Sequence, residues 1–326
     1  MNYRRRLMIV ALGAGALTTP FPAFSQTQRV YRVGILMGNS MRGGVYAPEF
    51  LKEMNKLGYS DGQNTSIVLR EAENRPERLP ELANELVAEK VDVIVTSGTA
   101  NVRALRQATS TIPIVFALVT DPVGSGFARS LARPGYNMTG VTPLNVEMSG
   151  KRLEILRELA PKISRVAVLV TDEAHVPPQV EQIRMAANRL GMSVETTEVK
   201  GREDFEGATK QLRKWRANAI YVVDSTRNNG NFKLLAEFSE QLRLPSMYSR
   251  PNYIEAGGLV CYGPNNGALY RRAAHFVDKI LRGARPADLP IELPTHYEMV
   301  INMKTAKALG IKVPQSILLR ADRVIE

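Results

Sequence analysis

The sequence predicts an α/β chain of two doubly wound parallel-sheet lobes joined by a three-segment hinge. Apolar and β-branched runs alternate with amphipathic helical patterns from residue 30 onward, at lengths that imply parallel pairing. The alternation lapses around Pro134-Gly135 and starts again near residue 149. The tail has too few elements for a third lobe, so it must return to the first two. The repeated unit is plainest in VDVIVTSGTANVRALR (91–106), where a buried strand turns through Ser97-Gly98-Thr99 into a helix bearing Val102 and Leu105. In an open α/β sheet ligands sit beyond the carboxyl ends of the strands, where this turn lies. Gly98 admits close approach of another group, and Ser97 or Thr99 can cap the helix. The free N–H groups there favour a carboxylate or phosphate.

The N-terminus stands outside the fold. Arg4-Arg5-Arg6 precedes the apolar run LMIVALGAGAL (7–17), and Ala23 and Ser25 are small residues at the two positions a signal peptidase reads. Cleavage is expected after Ser25. The apolar run falls short of the ~20 residues a spanning helix needs. The twin arginine suits a Tat signal, and a Sec signal with a basic start reads almost the same. The expected location is a periplasm.

Removing three arginines lowers the formal charge from +11 to +8. No basic run or basic–aromatic interleaving accompanies that charge after the signal, so no nucleic-acid partner is expected. The single cysteine, Cys261, excludes an internal disulfide and a cysteine metal site. The three histidines, His175, His275 and His296, are too scattered for metal-ligand spacing. No cofactor or metal is expected.

In the first lobe, strands are expected at 30–37, 64–72 and 111–119, helices at 46–57, from Pro76 to about 87 and at 124–132, and the strand–turn–helix unit at 91–107. After the segment 137–145 come a helix at 149–159, strands at 165–171, 192–199, 218–224 and 244–249, and helices near 178–190, 203–215 and 231–242. The tail reads as a strand (257–265), a helix (266–282), an extended crossing (290–302) and a last helix (303–309). Helix 266–282 must pack back on the first lobe. The expected units are therefore a signal peptide (1–25), a first lobe (30–143 and 264–289) and a second lobe (144–263 and 290–326), with a ligand in the cleft between them.

Strand ends facing that cleft give the candidate ligand residues. They are Asn39, Ser40, Ser97, Gly98, Thr99, Thr120 and Asp121 in the first lobe, Thr171 and Asp224 in the second, and Tyr262 on a crossing. The second lobe's strand ends also supply Asp172, Ser225 and Thr226, with Ser249 and Arg250 at a further strand end. Hydroxyls, amides and a few carboxylates suit a small ligand carrying both charges, such as an amino acid. Ser97 or Thr99 would hold its carboxylate, and Asp121 or Asp224 its ammonium; each acid is also a natural loop or cap hydrogen-bonder. Tyr248, Tyr253 and Tyr262 offer rings to an aromatic ligand. No nucleophile elbow, phosphate loop or dinucleotide fingerprint is present, so no enzymatic activity is expected.

Several segments resemble the periplasmic substrate-binding proteins of the ABC transporter substrate-binding family related to tryptophan-binding TrpX-type proteins. They include GYSDGQN (58–64), RPERLPELANELV (75–87), VDVIVTSGT (91–99), TSTIPIVF (109–116), DPVGSGFARSLARPGYNMTG (121–140), SGKRLEILRELAP (149–161), EAGGLVCYGPN (255–265) and VINMKTAKALG (300–310). Residues 171–180 and 224–234 depart from that pattern. The resemblance implies a type I periplasmic fold, no enzymatic activity, and delivery of an amino acid, often an aromatic one, to a membrane permease and its ATPase. It sets the carboxylate turn on Ser97-Gly98-Thr99 and turns the loop near Thr120-Asp121 to the cleft. The expected protein is a monomeric solute-binding component of an importer. The alternative is a periplasmic sensing module that presents its ligand to a membrane receptor.

Overall fold

The computed structural model describes residues 29–38, 47–73, 75–119, 121–143, 148–173 and 176–326. The expected signal peptide, Asn39, Ser40, Thr120 and His175 lie outside the described residues.

The first sheet has five parallel strands, β1 (Tyr31–Met37), β2 (Thr65–Glu71), β3 (Val93–Ser97), β4 (Ile114–Ala117) and β5 (Met138–Gly140), in the order β2-β1-β3-β4-β5. Parallel strands buried on both faces read as continuous apolar runs, which is why VDVIVTS was legible. Helices α1 (Ala47–Lys56), α2 (Leu79–Ala88) and α3 (Thr99–Ala108) cover it. Val33, Ile35 and Val95 pack with Phe50 and Met54 on one face, and Leu36 and Ile94 with Leu82, Leu86 and Val102 on the other.

The second sheet holds β6 (Arg165–Val170), β7 (Ser193–Glu198), β8 (Ala219–Val222), β9 (Ser246–Tyr248), β10 (Val260–Pro264), β11 (Tyr297–Asn302) and β12 (Arg323–Ile325). Its order is β12-β11-β10-β9-β8-β6-β7. Read from the far edge, β7-β6-β8-β9-β10 repeats the order of the first sheet. One face carries α4 (Ser149–Leu159) and α5 (Val176–Arg189); the other packs α6 (Phe205–Trp215), α8 (Phe232–Leu242) and α9 (Pro251–Glu255), with α7 (Thr226–Gly230) leading into α8.

The chain passes between the sheets three times. Crossing one leaves β5 for α4. Crossing two leaves β10 for α10 (Asn266–Leu281), which packs on α1, β3 and β4. Crossing three runs through Glu292 to β11. Arg272 of α10 grips Glu292 with two hydrogen bonds of 2.5 and 2.6 Å, and Glu292 pairs with the backbone of Gly140 and Thr142. Gly140 is required here: its φ is +151°, and a Cβ would lie 1.9 Å from the Phe116 carbonyl oxygen.

Three sequence expectations need correction. Residues 124–132 form no helix. Instead the Asp121 carboxylate accepts from Gly124 N at 2.7 Å, and Phe127 N and Ala128 N donate to the Pro122 carbonyl, so the segment closes into turns. Pairing is not parallel throughout, because β11 runs antiparallel to β10. After α11 (Met303–Ala308) the chain does not end on a helix; it adds α12 (Gln315–Leu318) and the edge strand β12.

Candidate functional site

A sheet ordered 2-1-3-4-5 has a switch point between its first and third strands, where neighbouring connections run to opposite faces and leave a crevice. The rule applies twice here. In the first sheet the crevice lies between the ends of β1 and β3; in the second it lies between β6 and β8. Crossings one and two leave the carboxyl ends of β5 and β10, and crossing three enters at the start of antiparallel β11. The carboxyl edges of both sheets therefore meet at the same three crossings, and the two crevices adjoin them.

On the first side, Ser97 ends β3 half-buried, and Gly98 follows with φ +86°. The expectation that Ser97 or Thr99 caps α3 fails. Gly98 is the cap residue and no side chain accepts there, so the first-turn N–H groups are left without a side-chain cap. Thr96 Oγ1 and Asn101 Nδ2 both donate to the Leu36 carbonyl, at 2.8 and 3.4 Å, which locks the end of β1 against the start of α3. Asn101 is 5% exposed. Its place at i+4 from Ser97 was the only local sign of that role. Asp121 is exposed and holds its own turn, the loop role open to it from sequence.

The second side is built from side chains. Asp224 follows β8 and is 7% exposed. Its Oδ1 accepts from Asn229 Nδ2 at 2.7 Å, Ser249 Oγ at 3.1 Å and Arg250 Nε at 3.2 Å. Burial pushes this carboxyl up, but the Arg250 guanidinium, Asn229, the charge of Arg152 and Ser249 together hold it below its usual value. Ser225 caps α7 through Asn228 N, and Asn228 Nδ2 bonds the carbonyls of Leu169 and Val223, tying β6 to β8. Thr171 is buried and donates to Glu173 at 3.3 Å, whereas Asp172 is exposed beside Arg227. Tyr253 stacks on Tyr248 with ring centroids 4.6 Å apart and donates to Asn229 Oδ1 at 3.2 Å. Burial, with the Asp224 charge beside it, raises the Tyr253 hydroxyl well above its ordinary value, so it stays a donor.

Tyr262 sits near the end of β10, on the face that packs α4. It stacks on Tyr297 at 5.8 Å. Its carbonyl accepts from Arg152 Nε at 2.6 Å, and Arg152 also donates to the Tyr221 hydroxyl at 3.3 Å. Arg152 is 1% exposed. An arginine on an amphipathic helix gives no local sign of burial, and its partners lie 69 and 110 residues away.

A cavity of about 290 Å³ at the mouth of the cleft is lined by Pro76, Leu79, Thr99 and Arg103 of the first side and Glu173 of the second. A larger one, about 800 Å³, lies at the opposite, amino-terminal edge of the first sheet, around Arg29, Arg106, Tyr136 and Arg285. Among the described residues no cluster of His, Cys, Asp or Glu is arranged to hold a metal.

Two matched α/β sheets with adjoining switch-point crevices and three crossings define a two-lobed binding scaffold of the type I periplasmic kind. The chain belongs to the ABC transporter substrate binding protein family, whose model matches residues 41–325. It is 27% identical over 265 residues to a tyrosine-binding protein of Clostridioides difficile (strain R20291), across 81% of this chain and 76% of that one. It is similar to the crystal structure of an ABC domain in complex with L-Trp from Streptococcus pneumonia, with a TM-score of 0.80 and 26% identity over 91% of this chain and all of that one. A conserved domain protein of Vibrio cholerae matches with a TM-score of 0.82 and 26% identity over the same shares. A leucine-binding protein of Thermotoga maritima shares the fold at 16% identity over 79% of this chain and 78% of that one, with a TM-score of 0.57.

Proposed function

We propose that this chain is an exported solute-binding component of an ABC importer. It takes an amino acid or related carboxylate, with aromatic side chains the first to test, in the cleft between its lobes. Binding leaves the ligand unchanged, and the loaded monomer delivers it to a permease and its ATPase at the inner membrane. The basic, apolar, small-residue leader supports export with cleavage near Ser25. No helix among the described residues is long and apolar enough to cross a membrane. The lobes are assigned as 30–143 with 264–289, and 144–263 with 290–326.

What supports the reading is that the carboxyl edges of the two sheets carry unlike groups. The first turn of α3, from Thr99 onward, offers N–H groups with no side-chain cap, which suits a carboxylate, while the Gly98 N–H donates to the Ala117 carbonyl. Asp224, Ser249 and Arg250 offer a buried charged cluster from the second lobe. A ligand touching both favours the closed arrangement over the open one and thereby drives closure. Relatives that bind tyrosine and L-Trp support the ligand class.

The test is calorimetric titration with L-tryptophan, L-tyrosine, L-phenylalanine, L-leucine and matching carboxylates lacking the amine. At least one amino acid is expected to bind at 1:1. At a hundredfold excess over its Kd it stabilises the fold by about 2.7 kcal/mol. Failure of every amino acid and carboxylate, with folded protein, would overturn the ligand class.

A further inference from the structure

We propose that Tyr297 is a hinge tie that sets how far the two lobes separate before any ligand arrives. This rests on the reading that the lobes move about the three crossings. Crossing three is held to the first lobe at Glu292, by Arg272 and by the backbone of Gly140 and Thr142. Five residues later it enters the second sheet at Tyr297. On crossing one, Thr142 is held to the first side by its hydroxyl on the Val119 carbonyl, at 2.6 Å, and by its N–H on the Glu292 carbonyl, so the adjoining Pro143 belongs to that side.

Tyr297 reaches back across that stretch. Its hydroxyl donates to the Pro143 carbonyl at 3.2 Å, joining crossing three to crossing one. Its ring stacks on Tyr262 of the neighbouring strand β10, at an interplanar angle of 27°. Tyr262 is in turn held through its carbonyl by buried Arg152, on the helix that crossing one feeds. One hydroxyl thus links crossings one and three. The hydroxyl acts between lobes, whereas the ring packs within the second lobe. Removing each part separately therefore distinguishes the tie from ordinary packing.

The experiment uses the mature, unliganded protein with spin labels at Gln107→Cys and Lys200→Cys, exposed positions on opposite sides of the cleft. Native Cys261 is fully buried and escapes labelling. Pulsed electron spin resonance then reads the interlobe distance distribution. Tyr297→Phe, which keeps the ring, is expected to raise the population of longer distances about two- to tenfold, the worth of one hydrogen bond, with little change in melting temperature. Tyr297→Leu should broaden the distribution further and lower the melting temperature as the stack is lost. A distribution for Tyr297→Phe that superimposes on the wild type overturns the proposal. Because no ligand is added, that outcome is independent of whether the ligand class is right.

Discussion

Arg152→Met removes one buried guanidinium and keeps most of the volume of its stem. At least two hydrogen bonds from a charged donor are lost, among them one to the Tyr262 carbonyl at 2.6 Å and one to the Tyr221 hydroxyl at 3.3 Å. At about 1.5–3 kcal/mol each, with the longer one at the low end, the loss comes to about 3–5 kcal/mol. Asp224 also loses one of the two cations that offset its burial. The cost falls on the second lobe, which carries the single tryptophan, Trp215. Urea unfolding followed by Trp215 fluorescence reads that lobe, and far-ultraviolet circular dichroism reads both. With a slope of about 2 kcal/mol per molar urea, the fluorescence midpoint should fall by roughly 2 M. The dichroism transition should split, because the first lobe keeps its own core. A fluorescence shift equivalent to less than about 1 kcal/mol would refute the reasoning. It would mean that Tyr262 and Asp224 find other partners at no cost.

Two further outcomes follow from the site. Ser97→Ala should weaken binding of the amino acid identified by titration by about 10- to 30-fold, the worth of a hydrogen bond to a charged group at the low end of its range. The melting temperature of the unliganded protein should hardly move, because Ser97 caps nothing in α3; a large loss of stability would mark it as structural. Asp224 is held below its usual pKa in the folded state, so it stabilises the fold above the unfolded value and loses that contribution as pH falls below about 4. Asp224→Asn should therefore be clearly destabilised at pH 7, and the gap to wild type in urea unfolding should narrow at pH 3. A gap that stays constant would show that the charge contributes nothing.

What the sequence revealed and what it concealed divide along the range of the interactions. The helix predicted at 149–159 coincides with α4, and VDVIVTS and RVAVLVT lie on β3 and β6, because burial on both faces imprints a local apolar pattern. The turn at 124–128 was mistaken for a helix because its apolar residues fit helical spacing. Its decisive contacts are the Asp121 carboxylate on Gly124 and the Pro122 carbonyl on Phe127 and Ala128, which a period count does not register. The strand-to-helix turn at Ser97-Gly98-Thr99 was legible because β-branched residues, a glycine and a helical pattern adjoin. Asp224 was legible as a strand end, but not as an ion-paired group, since Arg250 comes 26 residues later. Arg152 looked like any exposed helix cation until the fold placed Tyr221 and Tyr262 beside it.

The two half-sites differ in kind, and this bears on where selectivity resides. Under the proposed reading, the uncapped first turn of α3 takes any carboxylate, so the first lobe would discriminate little among amino acids. In the second lobe Asp224 is already neutralised by Arg250 and by hydrogen bonds from Asn229 and Ser249. An arriving ammonium must compete with that guanidinium rather than meet a bare acid. It gains only if Arg250 moves off or if it lies where both cations share the carboxylate. A ligand lacking the amine leaves the Asp224–Arg250 pair as it stands and gains nothing from Asp224. Under the proposed reading, the Asp224–Arg250 pair is therefore the element that separates amino acids from simple carboxylates. Arg250→Lys should shift that preference more than any change at Ser97, because it replaces a planar fork with a mobile point charge and leaves the first-lobe turn intact.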